Sequence, residues 1–209
     1  DGLRLWSAIT HGIGVVLAVV GTVWLIVRAA GQRDAWKIVS FAIYGGSMIL
    51  LYTASTLYHS LRTAVPGRLR LKKFDHIAIY YLIAGTYTPI LLAAFVPTYP
   101  AVGWGLLAAE WGLAALATTL TAIDLKKYRV FSMICYICMG WAVLPFMDEA
   151  KTAMTEAGFA FLLAGGIAYT VGAVLYGIGV KKRWMHSVFH IFVVLGSFLQ
   201  FLSILLYAI

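Results

Sequence analysis

Long apolar runs separated by short polar stretches make up most of the 209-residue chain. Each run is close to the roughly 20 residues that a helix needs to cross the hydrocarbon core of a bilayer. Helices are expected rather than barrel strands, because a helix satisfies its own backbone hydrogen bonds within lipid. The pattern predicts an all-α polytopic membrane protein, a seven-transmembrane helix bundle in one domain over residues 1–209. The predicted spans are Ala8–Val27, Ile38–Leu61, Phe74–Val96, Ala101–Ile123, Val130–Met147, Gly158–Val180 and Trp184–Tyr207.

The composition excludes a soluble protein. Hydrophobic residues make up 62% of the chain and charged residues 11%, and the mean hydropathy is +0.90. So apolar a chain cannot cover a hydrated surface with polar side chains. Pro89 and Pro145 lie inside the third and fifth predicted spans, where each is expected to kink its helix. Cys135 and Cys138 share one apolar run and are expected to be small buried hydrophobes rather than disulfide partners or zinc ligands.

The formal net charge of +8 raises the question of a nucleic-acid partner. The basic residues lie in the short connections and are not interleaved with aromatic residues on a long polar segment, so no nucleic-acid partner is expected. Their distribution instead indicates orientation and contact with anionic lipid. Counted on alternate sides of the spans, it predicts a cytoplasmic N-terminus. One side carries Arg4, Arg62, Arg68, Arg70, Lys72, Lys73, Lys126, Lys127, Arg129, Lys181, Lys182 and Arg183, and the other carries Arg28, Arg33, Lys37 and Lys151.

Three histidines are predicted to lie at one depth near the cytoplasmic face. His59 falls in the last turn of the second span, and His186 and His190 fall in the first two turns of the seventh. Because His186 and His190 are four residues apart, their imidazoles project from one helix face. Three neutral imidazoles suit zinc and leave its fourth position for water, as in catalytic zinc sites. Hydrogen bonding between helices is the alternative role for the histidine pair.

Two further polar residues lie near the predicted site. Asp75 opens the third span, where it can deprotonate a water molecule held by zinc or, alternatively, form a salt bridge with the neighbouring lysines. Ser55 is one helical turn deeper than His59 on the same face. It can orient the water or a polarised carbonyl, or bond back to its own helix backbone.

The other ionisable residues suggest no clear chemistry. His76 points about 100° round the helix from Asp75, and His11 begins the first span. Each is read equally well as an interfacial or a packing residue. Glu110 lies in the middle of the fourth span without an evident cationic partner, so it is either protonated or hydrogen-bonded across helices.

Four motifs, in this order and at these spans, resemble those of a known family. They are Ser55-Thr56-Leu57-Tyr58-His59, Lys72-Lys73-Phe74-Asp75-His76, Gly85-Thr86-Tyr87-Thr88-Pro89 and His186-Ser187-Val188-Phe189-His190. The chain is thereby similar, over nearly its whole length, to the bacterial hemolysin III proteins, relatives of the progestin and adipoQ receptors (PAQR).

The resemblance implies a multi-pass protein of the bacterial inner (plasma) membrane with a zinc ion near the cytoplasmic face. By motif position the metal ligands are His59, His186 and His190, with Asp75 binding through water and Ser55 nearby. These families are grouped with alkaline ceramidases in a proposed superfamily of membrane hydrolases. The resemblance therefore implies hydrolysis of a lipid amide, with membrane lipids as partners and a lipid or fatty acid as the ligand in the bundle.

Two other functions compete with a hydrolase. The first is a sensor or regulator of membrane homeostasis (fluidity or energetics), in which a structural zinc staples the second and seventh helices. The second is a transporter or channel, for which a chain of intramembrane charges is expected. Since Glu110 is the sole charged side chain near mid-membrane, this second function is set aside.

Overall fold

The computed structural model describes residues 2–60, 68–179 and 183–207, which are helical apart from short turns. The predicted all-α fold is confirmed. The helices are α1 (Gly2–Gly31), α2 (Ala35–Ser60), α3 (Arg68–Pro89), α4 (Val96–Thr98), α5 (Pro100–Ile123), α6 (Arg129–Gly140), α7 (Met147–Gly179) and α8 (Arg183–Tyr207).

Several of these helices are able to cross a membrane. Five helical segments within the described ranges are long and apolar enough, and Ile191–Leu206 is a shorter apolar helix. The chain is therefore a polytopic membrane protein, as its composition indicates. The count of seven crossings and the cytoplasmic N-terminus stay predictions. The five segments are Ala8–Gly31, Ala35–Leu57, His76–Thr98, Pro100–Ile123 and Arg129–Leu175.

The longest of these segments folds back on itself. The Trp141 indole donates a hydrogen bond to Thr170 Oγ1 across 3.0 Å, although residues so far apart in one straight helix would be separated by about 43 Å. The reversal occurs at Thr155, whose φ of 72° and ψ of 163° are not helical. The segment between the fifth and sixth predicted spans is therefore helical up to Thr155 and does not form an irregular polar loop.

Both intramembrane prolines mark a change in helix geometry, as predicted. After Pro89 the chain continues as a π-helix, Ile90–Phe95, because proline lacks the N–H that would continue the α-helical ladder. Pro145 lies in a 3-10 turn, Leu144–Phe146, between α6 and α7. The π-helix contacts α2, α3, α5 and α7, so an irregular segment occupies the centre of the bundle.

Small residues let neighbouring helices approach closely, as is usual in membrane bundles. A Cβ atom built on Gly45 of α2 would overlap the Thr22 side chain of α1. On the other side of the bundle, a Cβ on Gly165 of α7 would lie 3.0 Å from the Gly196 carbonyl oxygen of α8. The pairs α1–α2 and α7–α8 are therefore held at short range.

One of the two cysteine predictions was wrong. Cys135 is buried, as expected, but Cys138 is exposed. The two residues are three positions apart in α6, and the neighbouring apolar side chains Ile134 and Phe131 are also exposed. In an apolar helix the face turned to lipid is as hydrophobic as the packed face, so the composition of this run could not distinguish them.

Candidate functional site

Three hydroxyl groups meet inside the bundle and join α2, α7 and α8. The Tyr52 hydroxyl donates a hydrogen bond to Ser197 Oγ at 2.6 Å, and Tyr169 Oη shares a hydrogen bond of 2.5 Å with the same atom. Tyr52 is 3% and Ser197 8% exposed. Since both hydrogen bonds end at Ser197 Oγ, this hydroxyl network links three helices at one point.

The first helix packs around Tyr52. The His11 ring meets the Tyr52 ring edge to face, with centroids 5.4 Å apart and planes at 83°. A Cβ on Gly14, one turn further along α1, would lie 2.7 Å from the same tyrosine ring. The sequence His11-Gly12-Ile13-Gly14 thus makes room for Tyr52, and of the two roles expected for His11 the structure supports packing.

Ser55 lies on the inward face of α2, three residues beyond Tyr52. It is 1% exposed, and the nearby Met48 and Leu51 are each 4% exposed. In contrast, Leu50 and Leu57 on the other side of the helix are 46% and 47% exposed. The interior therefore receives a hydroxyl group from the last turns of α2.

The other predicted site residues have their backbone in described helices. His59 belongs to α2, Asp75 to α3, and His186 and His190 to α8. Their side chains lie outside the described residues, so their roles stay predictions. Among the side chains that are described, no group of three or more metal-binding residues comes together.

Lys73 lies next to this predicted site and already has a partner on another helix. Its ammonium group donates a hydrogen bond to the Ala122 carbonyl oxygen at 3.1 Å, at the end of α5. Carbonyl groups in the last turn of a helix have no intrahelical partner and attract cations. Lys73 therefore ties the start of α3 to the end of α5.

Glu110 is the most unusual polar residue of the described interior. It is 1% exposed, and neither carboxyl oxygen has a hydrogen-bond partner within the described part of the chain. The next residue, Trp111, donates from its indole to Thr88 Oγ1 at 3.1 Å, which holds α5 against α3. Hydrogen bonding of Glu110 across helices, one of its two expected roles, is not observed.

Sequence reasoning missed the hydroxyl network. Tyr52, Tyr169 and Ser197 were not among the candidate residues, although Ser197 follows His190 by seven residues on α8. This spacing returns to the same helix face. Polar residues that recur at helical spacing from the histidines were the signal for Tyr52, seven residues before His59, and for Ser197. Ser203 of α8 lies on another face of the helix, and it donates to the Gly158 carbonyl oxygen of α7 at 2.7 Å.

Residues 5–201 match the family described as Haemolysin-III related. The chain belongs to this hemolysin III family. It is 41% identical over 203 residues to the "Hemolysin-3 homolog" of Bacillus subtilis (strain 168), an alignment that covers 97% of this chain and 93% of the relative. It is 39% identical to "Hemolysin-3" of Bacillus cereus over 97% of this chain and 90% of that protein.

More distant relatives connect this hemolysin III protein with receptors of the PAQR type. The human "Monocyte to macrophage differentiation factor" is 27% identical over 93% of this chain and 80% of its own length. The "Adiponectin receptor protein" of Drosophila melanogaster is 26% identical over 92% of this chain and 48% of its own length. The family expectation is confirmed, and with it the location in a membrane.

Proposed function

We propose that this hemolysin III protein is a zinc-dependent lipid hydrolase of the bacterial inner membrane. His59, His186 and His190 hold zinc near the cytoplasmic face, and Asp75 and Ser55 act on a lipid amide or ester. The observation that carries the proposal is the helical register of α2, α3 and α8. When the buried face of each helix is extended along the helix by helical spacing, it reaches these residues.

The register of α8 follows from its described part. Val193, Ser197 and Gln200 are 7%, 8% and 8% exposed, whereas Ile191, Leu195 and Phe198 are 49%, 44% and 57% exposed. Counted back from Val193, three residues lead to His190 and seven lead to His186. Both spacings stay on one helix face, so both histidines occupy positions of the inward register.

The registers of α2 and α3 lead to the remaining residues. His59 follows the buried Ser55 by four residues, and Asp75 precedes the buried Ala78 by three. A salt bridge of Asp75 with Lys73 is disfavoured, because residues two apart on a helix do not face each other. Lys73, moreover, donates to α5.

The donor set suits the metal. Three imidazoles from two helices are typical ligands for zinc and leave one coordination position open. When bound there, zinc acts as a Lewis acid and makes water nucleophilic at neutral pH. These histidines also have to be neutral, so metal binding competes with their protonation.

The chain's own groups supply the other steps. The oxygen of the attacking water bonds to the acyl carbon while Asp75 accepts the proton of that water. Asp75 then returns the proton to the leaving amine or alcohol as the acyl bond breaks. Ser55 donates a hydrogen bond to the carbonyl oxygen, where negative charge develops. An interior site in a bundle is accessible to a lipid that enters sideways from the bilayer, which favours an acyl lipid as the substrate class.

A direct test combines metal content with turnover. The full-length chain purified in detergent is expected to contain about one zinc per molecule, and this zinc is lost in His59→Ala and His190→Ala. Asp75→Asn is expected to keep the metal and lose hydrolysis on a panel of lipid amides and esters. His76→Ala is the matched control and keeps both. Absence of any zinc-dependent turnover above that of Asp75→Asn would overturn the hydrolase.

A sensor or regulator of membrane homeostasis is the second candidate. It is favoured by the hydrogen bond from Tyr52 to Ser197, because zinc between α2 and α8 would add a second link between helices that already touch. This function predicts that His190→Ala lowers the melting temperature and abolishes a membrane-fluidity phenotype, while Asp75→Asn changes neither. Equal loss of the phenotype in both variants, at unchanged stability, excludes it.

A further inference from the structure

A groove opens at the end of the bundle where α1 joins α2 and α4 joins α5. Its volume is about 200 Å³, and its wall contains no cationic side chain among the described residues. Along α2, this end is about 35 Å from the position of His59. The groove is therefore separate from the proposed zinc site. Its wall combines one carboxylate and two indoles with apolar side chains, and includes Asp34, Trp36, Trp104, Leu92, Val96 and Pro97.

Asp34 brings a negative charge to the groove, and within the described part of the chain no side chain forms an ion pair with it. One carboxylate oxygen, Oδ1, accepts the Lys37 backbone N–H at 3.3 Å and so caps the start of α2. The Lys37 ammonium group is directed elsewhere, to Gln32 Oε1 at 2.9 Å. The second carboxylate oxygen of Asp34 is left for a ligand, and its charge selects a cation.

The two tryptophans form a corner beside this carboxylate. Their ring centroids are 5.9 Å apart and the planes meet at 78°. Trp36 is 60% and Trp104 45% exposed. The face of an indole attracts ammonium groups, and aromatic cages that bind quaternary ammonium ligands use several such faces. An organic cation in this corner would contact both a carboxylate and aromatic rings.

We propose that this groove binds the ammonium headgroup of a zwitterionic phospholipid of the phosphatidylethanolamine type. The ammonium group lies between Asp34 and the two indoles, and the glycerol and first acyl carbons lie on Leu92, Val96 and Pro97. A lipid is favoured over a soluble amine, because the connections between helices lie at headgroup depth and most of the groove wall is apolar.

Native mass spectrometry of the full-length protein in detergent tests this directly. With dioleoyl lipids that differ only in the headgroup, phosphatidylethanolamine is expected to bind about five times more tightly than phosphatidylglycerol, the difference expected for a cation–π contact of moderate strength. Asp34→Asn and Trp104→Leu each abolish this preference and leave phosphatidylglycerol binding unchanged. Asparagine still caps a helix, so the first variant retains the fold.

Two matched controls distinguish the groove from general surface effects. Asp124 is another carboxylate in a connection that accepts backbone N–H groups, from Lys126 and Lys127 at 3.1 Å each. Trp24 is an exposed indole on α1. Asp124→Asn and Trp24→Leu are expected to keep the headgroup preference. If either control abolishes it, or if the wild type binds both lipids equally, the proposal is wrong.

A final arm identifies the source of the headgroup. Glycerophosphoethanolamine carries the same ammonium and phosphate groups without acyl chains, and it is expected to bind more than tenfold more weakly than the lipid because it buries no acyl carbon on the apolar wall. Equal binding of the two compounds would overturn the lipid assignment in favour of a soluble amine. All of these measurements are independent of zinc and of hydrolysis, so they stand apart from the proposed function.

Discussion

Tyr52 on α2 donates a hydrogen bond to Ser197 on α8, 145 residues away in the sequence, at 2.6 Å. Tyr169 of α7 shares the same serine oxygen. Through this one atom, the second helix of the bundle is joined to the last two. Both hydrogen bonds bring the inward faces of α2, α7 and α8 together at one point.

Removal of either partner of this hydrogen bond is expected to loosen the bundle. Tyr52→Phe and Ser197→Ala should each lower the free energy of unfolding by about 0.5–2 kcal/mol, the range for interhelical hydrogen bonds in membranes. The double variant should cost less than the sum, because both changes remove one shared contact. Thermal unfolding in detergent measures this, with Tyr128→Phe outside the bundle as control. Strict additivity would show that the two residues are not coupled.

Gly45 and Gly46 are neighbours on α2 with opposite surroundings. An added methyl group at Gly45 meets the Thr22 side chain, whereas at Gly46 it meets nothing within 4 Å. Gly45→Ala is therefore expected to destabilise the α1–α2 contact by about 1–3 kcal/mol. Gly46→Ala should be neutral or slightly stabilising, since alanine favours the helix. Melting temperatures of the two variants provide the comparison, and a similar loss in both would contradict close packing at Gly45.

Thr155 has a backbone conformation that suits glycine. Its φ of 72° with a ψ of 163° lies in a region that other residues rarely occupy, at a cost of about 1–3 kcal/mol. Its hydroxyl accepts the Gly158 N–H at 3.3 Å, a cap that both Thr155→Gly and Thr155→Ala remove. The glycine variant is therefore expected to be more stable than the alanine variant. Equal melting temperatures would argue against strain at this reversal.

Glu110 is buried without a hydrogen-bond partner in the described interior. Replacement of such a group by an apolar side chain of similar size removes a desolvation penalty of about 1–3 kcal/mol. Glu110→Met is thus expected to raise the melting temperature, while Glu156→Met at an exposed position before the sixth predicted span leaves it unchanged. A stability gain together with lost turnover would identify Glu110 as a residue kept for function. Destabilisation by Glu110→Met would show that the carboxyl has a stabilising partner.

Much of the fold was predictable because membrane helices are locally determined. A long apolar run in lipid has to satisfy its backbone within itself, so length and hydropathy indicate a helix without knowledge of its neighbours. Pro89 and Pro145 were predictable for the same local reason, since each removes one backbone donor. A reversal between the fifth and sixth predicted spans was expected, but its position at Thr155 was not, because threonine carries no local preference for a positive φ.

The candidate site, like the fold, was predictable from the sequence only in part. Helical spacing put Ser55 on the face of His59, and His186 on the face of His190. It did not show that Tyr52 would meet Ser197, or that Asp34 would line one groove with the indoles of Trp36 and Trp104. Side chains from distant helices come together only when the helices have a defined rotation and order. The hydrophobic periodicity of a single helix determines neither its rotation in the bundle nor its order among the other helices.

By itself, the sequence determined a multi-pass helical membrane protein and its family, along with the position of each polar residue along its own helix. These follow from hydropathy, backbone hydrogen bonding and short motifs. Only the tertiary structure decided which inward faces meet, that Cys138 faces outward, and that a carboxylate and two indoles share one groove. Apolar side chains pack equally well against lipid and against protein. Interhelical packing and a few buried hydrogen bonds therefore select the arrangement of the helices.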